Sequence, residues 1–171
     1  MASTVVNSTF TSTITDSISL NSKAYGNTNI MTISSCNEAY ERILSVPAYA
    51  TAPNAQDFIP ILSCTAAPES AGDVTNTEFE YARFTNLDSE YPIKLKFMDT
   101  VSVCAAQSTA TEAFIVSLDP GMSYVVPSAN WMATDGNITG TTANTGLTNV
   151  WTVYALSVTA ICELEMFVVT K

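Results

Sequence analysis

The sequence predicts an all-β fold, an antiparallel β-sandwich or jelly-roll-like barrel with an extended N-terminal segment. Three observations carry this. Apolar and polar residues alternate in short runs, as in Ile93, Leu95 and Phe97 against Lys94 and Lys96, and in Cys162, Leu164, Met166 and Val168 against Glu163 and Glu165. A period of two places one face of a strand inward and the other in water. Turn residues separate the runs, and no long stretch shows helical periodicity. Short strands punctuated by turns are the pattern of sandwiches and jelly rolls.

Taken in order, residues 2–27 are rich in Ser, Thr and Asn, with weak alternation around Ile14, Ile18 and Leu20. Residues 1–27 are therefore expected to form a polar N-terminal arm or an edge strand, and 28–171 a single β-sandwich domain. Residues 29–34 and 37–46 read as strands. Pro47, Pro53 and Pro60 mark a long connection, and Pro60 bends the apolar run Phe58-Ile59-Pro60-Ile61-Leu62. A proline there predicts an edge strand or a bulge. Residues 65–76 read as a surface loop. Further strands are expected at 77–85, 92–98, 100–105, 112–118, 122–126, 150–159 and 161–169. Asp119-Pro120-Gly121 carries strong turn chemistry. Residues 134–149, rich in Gly, Asn and Thr, form a long polar connection of the kind that carries contacts. Lys94 and Lys96 are read as protecting an edge.

At 171 residues, one domain with one core is expected. Charged residues make up only 13% of the chain, about half the usual share of roughly 25%. The surface is instead polar and uncharged, which suits a chain built into an assembly. Sixteen acids against six bases give a formal charge of −10. That balance argues against direct nucleic-acid binding, which needs basic surface to displace counterions. It equally disfavours an anionic membrane. No run of apolar residues is long enough to span a bilayer, and the first residues have neither the basic nor the apolar region of a secretion signal. The cysteines Cys36, Cys64, Cys104 and Cys162 lack Cys-x-x-Cys spacing. They are read as free, buried thiols and not as metal ligands.

Candidate catalytic residues are sought and none is assigned. There is no histidine, the usual acid or base near neutral pH. Glu78 with Glu80 and Glu163 with Glu165 alternate with apolar residues, which makes each pair a solvated strand face and not a glycosidase pair. No serine elbow or glycine-rich phosphate loop occurs. Asp135-Gly136-Asn137 resembles one corner of a calcium loop but lacks the remaining ligands. No metal or cofactor is expected. The candidate interface residues are Tyr25, Tyr40 and Tyr49, which could fasten the N-terminal segment to a neighbour, and Trp131, Asn137 and Trp151, in or beside the long polar loop.

Arg83-Phe84-Thr85-Asn86, then Tyr91-Pro92-Ile93-Lys94-Leu95-Lys96-Phe97, then residues 114–124 with their Asp119-Pro120-Gly121 turn, and last the strand pair at 150–169, together resemble the small β-sandwich structural and decoration proteins of tailed-phage virions. The resemblance lies in scaffold pattern and transfers no site residue. It implies a virion component that self-associates or joins other virion proteins, as a capsid-associated decoration or fibre-like subunit. The alternatives are a carbohydrate-binding or adhesion module using loop 134–149 with Trp131 or Trp151, and a major coat or tube protein.

Overall fold

The computed structural model describes residues 8–49, 58–65, 73–75, 78–99, 113–126 and 151–171. They form eleven strands: β1 Ser8–Leu20, β2 Lys23–Cys36, β3 Glu38–Val46, β4 Ile59–Thr65, β5 Asp73–Thr75, β6 Phe79–Asn86, β7 Ile93–Asp99, β8 Ala113–Leu118, β9 Ser123–Val126, β10 Trp151–Ser157 and β11 Cys162–Thr170. β1 and β2 make a separate hairpin, while the others form a five-stranded sheet, β5-β4-β10-β7-β8, and a four-stranded sheet, β3-β11-β6-β9. All pairs are antiparallel except the short β4–β5 contact.

With the hairpin and β5 set aside, eight described strands remain. The first pairs with the eighth (β3–β11), the second with the seventh (β4–β10), the third with the sixth (β6–β9) and the fourth with the fifth (β7–β8). A nested set of pairs wound across two sheets is the connectivity of a jelly roll.

The alternating faces meet in one core. Phe84, Leu164, Met166 and Val168 from the four-stranded sheet and Ile93, Leu95, Phe97 and Val153 from the five-stranded sheet belong to one buried cluster. Phe84 and Phe97 meet edge-on across it, with ring centroids 6.1 Å apart. Cys36, Cys64 and Cys162 are all buried, as expected, and Cys36 and Cys162 are free thiols; Cys104 lies outside the described residues.

Most expected strands occur within a residue or two of their expected bounds. The strand expected at 100–105 lies outside the described residues, as do residues 134–149. Three readings change. The loop expected at 65–76 contains β5, whose three residues run parallel to Ser63–Thr65 of β4. β7 carries Lys94 and Lys96 but lies between β10 and β8, so these lysines protect no edge; Lys96 instead reaches over the rings of Phe58 and Tyr154. Residues 29–34 are part of a longer strand, because β2 runs from Lys23 to Cys36. Pro60 behaves as its chemistry requires. The β4–β10 register shifts beside it, and β5 pairs only with residues 63–65, so among the described residues no neighbour needs the amide hydrogen that Pro60 lacks.

Candidate assembly surface

The hairpin is the most exposed of the described elements, and its local chemistry explains its shape. Asn21 and Ser22 link its strands with φ of 49° and 64°. Two consecutive positive φ values define a type I′ turn, whose twist matches that of the strands. Gly26 allows close pairing, since a Cβ there would run into the main-chain oxygen of Asp16. At the base, Ser35 has φ of 62° and the register shifts opposite Ser8 and Thr9. This bulge turns the chain into β3, where Asn37 N–H donates to the carbonyl of Thr170 at 3.0 Å.

Residues paired across the hairpin share a face. One face carries Thr9, Thr11, Thr13, Thr15, Ser17 and Ser19 on β1, with Ala24, Gly26, Thr28, Ile30, Thr32 and Ser34 on β2. The other carries Phe10, Ile14, Ile18 and Leu20, with Ile33, Met31 and Tyr25, interrupted by Ser12, Asp16, Lys23, Asn27 and Asn29. The basal part of this apolar face covers the outer side of the four-stranded sheet. Phe10 lies 4.8 Å from Tyr81 and 5.5 Å from Phe167, centroid to centroid. Cys36, Tyr81 and Val169 form a second buried cluster beneath it. The cover explains why Val168, Val169 and Thr170 are all buried in sequence, which alternation alone forbids.

The distal part of the same face is not covered by any of the described residues. Ile14, Ile18, Leu20 and Tyr25 are 48%, 59%, 58% and 53% exposed. A cleft of about 370 Å³ lies where the hairpin leaves the sheet, lined by Ile14, Ile30 and Met31 and by Tyr124 and Val125 of β9.

Charge is sparse on the hairpin. Residues 8–36 contain one acid, Asp16, and one base, Lys23. On the outer face of the four-stranded sheet, Arg83 donates to both carboxylate oxygens of Glu165 at 3.1 and 3.0 Å. Its guanidinium lies 5.8 Å from the Phe167 ring centre. The hydrogen bond and negative charge of Glu165 push the Glu41 carboxyl above its ordinary range. Partial burial pushes Glu165 up, but the hydrogen bond from Glu41 and the charge of Arg83 outweigh it and hold Glu165 below that range. Glu163 is exposed, as expected, whereas Glu165 is half-buried and paired.

The candidate tyrosines occupy three different elements. Tyr25 stands exposed near the hairpin tip. Tyr40, on β3, packs against the core with Arg42 over its ring. Tyr49 is tied through its amide to the carbonyl of Ser157 at 2.9 Å. The backbone of Trp151 pairs with Cys64 and Asp99, while Trp131 and Asn137 lie outside the described residues. Sequence reasoning singled out Tyr25 but missed Ile14, Ile18 and Leu20 as its companions. Their weak alternation was the available signal.

Burial pushes the Cys162 thiol up, although the Ser157 hydroxyl at 3.1 Å partly offsets this. Cys162 is thus a packed thiol and not an activated one. Among the described residues no group of three or more His, Cys, Asp or Glu side chains is placed to hold a metal ion, and no helix is long and apolar enough to cross a membrane. No protein-family model, curated protein or solved structure matches the chain.

Proposed function

We propose that this protein is a virion structural subunit, a coat or coat-associated protein that works by self-assembly. The observation that carries the reading is the projecting hairpin, whose apolar face begins as an internal seam and continues uncovered to its tip. A solitary soluble protein gains nothing from an apolar face held away from its own core, whereas a subunit in an array does. The body supports the reading by analogy, because jelly rolls recur in viral capsid and lectin domains. Low charge and a polar surface also suit repeated contacts between copies.

Sugar binding by loop 134–149 rests on residues outside those described, so it lacks the support that the hairpin gives to assembly. The full chain is tested by sedimentation velocity and negative-stain microscopy across a concentration series. Closed oligomers or particles are expected. A monomer at every concentration, with tryptophan fluorescence that shifts on adding sugar, would replace assembly with the lectin reading.

A further inference from the structure

Building on the self-assembly reading, we infer that the hairpins of two copies pair face to face about a two-fold axis, each distal apolar face covering the other. The occupant of the uncovered surface is a second copy of this chain. Three observations select it.

The first is continuity. Phe10, Met31 and Ile33 already cover a sheet face, and Ile14, Ile18, Leu20 and Tyr25 extend the same face outward. The surface has the chemistry of a sheet-on-sheet seam, and another copy of this hairpin presents a matching twisted two-stranded face.

The second is charge. The chain carries a formal −10, so two copies repel one another over most of their surface. Residues 8–36 are neutral, with Asp16 balanced by Lys23. Two acidic copies therefore approach at the hairpin with little electrostatic cost.

The third is self-complementarity. Ile18 pairs with Tyr25, Asp16 lies two residues from Ile18, and Lys23 lies two residues from Tyr25 on the other strand. An antiparallel two-fold axis at the Ile18–Tyr25 pair brings Asp16 of each copy over the other's Leu20–Lys23 pair. The carboxylate and ammonium then meet twice, once on each side of the axis, as an isologous contact requires. The contact is small against the roughly 20–30 residues a side of a standard interface. One hairpin pair is thus weak and reversible, and becomes firm when an array repeats it.

The test uses the full chain. Asp16→Lys is expected to weaken self-association roughly tenfold, and Asp16→Lys with Lys23→Asp to restore it to within about threefold. Ile18→Cys is expected to give an interchain cross-link with a bis-maleimide spanning about 10 Å, the separation of packed sheets, which exceeds disulfide reach. Ser17→Cys, on the opposite face, is expected to give no more than the parent chain. These positions are exposed, so unchanged thermal unfolding confirms that each variant folds. If the chain assembles but Asp16→Lys has no effect, or Ile18→Cys fails to cross-link, the pairing is overturned and self-assembly stands. If every preparation is monomeric, both fall together.

Discussion

Asn86 is the residue on which the body turns. It is fully buried at the end of β6. Its side-chain amide donates to the carbonyls of Tyr91 at 2.9 Å and Leu118 at 3.0 Å, and its side-chain oxygen accepts from Asp88 N–H at 3.0 Å. Its main chain bonds to Met122 and Gly121. Gly121, with φ of 73°, follows Pro120 in a turn closed by Met122 N–H to the Asp119 carbonyl, a type II geometry that this residue pair favours. One side chain thus ties the β6–β7 and β8–β9 crossings between the sheets. Asn86→Ala leaves two carbonyls and an amide without these partners, so an unfolding free-energy loss of about 2–4 kcal/mol is expected in denaturant titration. In sequence, Asn86-Leu87-Asp88-Ser89-Glu90 reads only as a connection, because Asn is common in turns and burial is a property of the whole fold. The Pro-Gly turn was legible for the opposite reason: its conformation is dictated by its own two residues. Next door, amide hydrogens of Tyr91 and Glu90 bond to the Asp88 carboxylate and hold it below its ordinary range. A depressed carboxyl contributes stability that is fully present above its unfolded value, near pH 4, and is lost as pH falls through the lower folded value. Asp88→Asn keeps an acceptor oxygen without the charge. Its stability should therefore fall less than that of the parent chain between about pH 5 and pH 2, as followed by urea midpoints.

At the scale of elements, legibility follows contrast between faces. β6, β7 and β11 have one face in the core, so their alternation is sharp in the sequence. The hairpin is exposed on both faces over its distal half, so Thr and Ser dominate one side and Ile and Leu only interrupt the other. The sequence could show a polar segment with weak rhythm, but not its pairing partner. β5 escaped because three residues are too few to show a period. The hairpin's turn offers a direct test. Ser22 adopts a conformation that costs a residue with a side chain about 1 kcal/mol, whereas glycine reaches it freely. Ser22→Gly should therefore raise hydrogen-exchange protection of the distal hairpin amides by about fivefold and leave the body unchanged. Phe10→Ala should act oppositely at the base. Losing the ring contacts with Tyr81 and Phe167 should loosen the hairpin from the sheet by about 1–2 kcal/mol, read as faster exchange at Phe10–Thr13 and Ile30–Ile33.

For the whole molecule, sequence rhythm gave the class of fold but not the nesting of its strands. Which strand lies beside which depends on contacts far apart in the chain, such as β3 with β11, and nothing within either strand names the other. The nesting places the chain leading into β3 beside the end of β11, and this lets the hairpin cross the outer face of the sheet and leave it at β9. Assembly then depends on a balance between two electrostatic scales. Across whole subunits, a charge of −10 on each copy opposes approach at all distances within a Debye length. At the hairpin, a single Asp16–Lys23 contact per side, exposed at its rim, adds less than about 1 kcal/mol. Salt screens both, but the repulsion sums over many charges and the attraction over two. Raising ionic strength from about 0.02 to about 0.5 M should therefore strengthen self-association, because apolar burial by Ile14, Ile18, Leu20 and Tyr25 is not screened. Light scattering at fixed protein concentration checks the sign. Association that weakens steadily with salt would mean that ion pairs hold the copies together, and the apolar face would lose its central role.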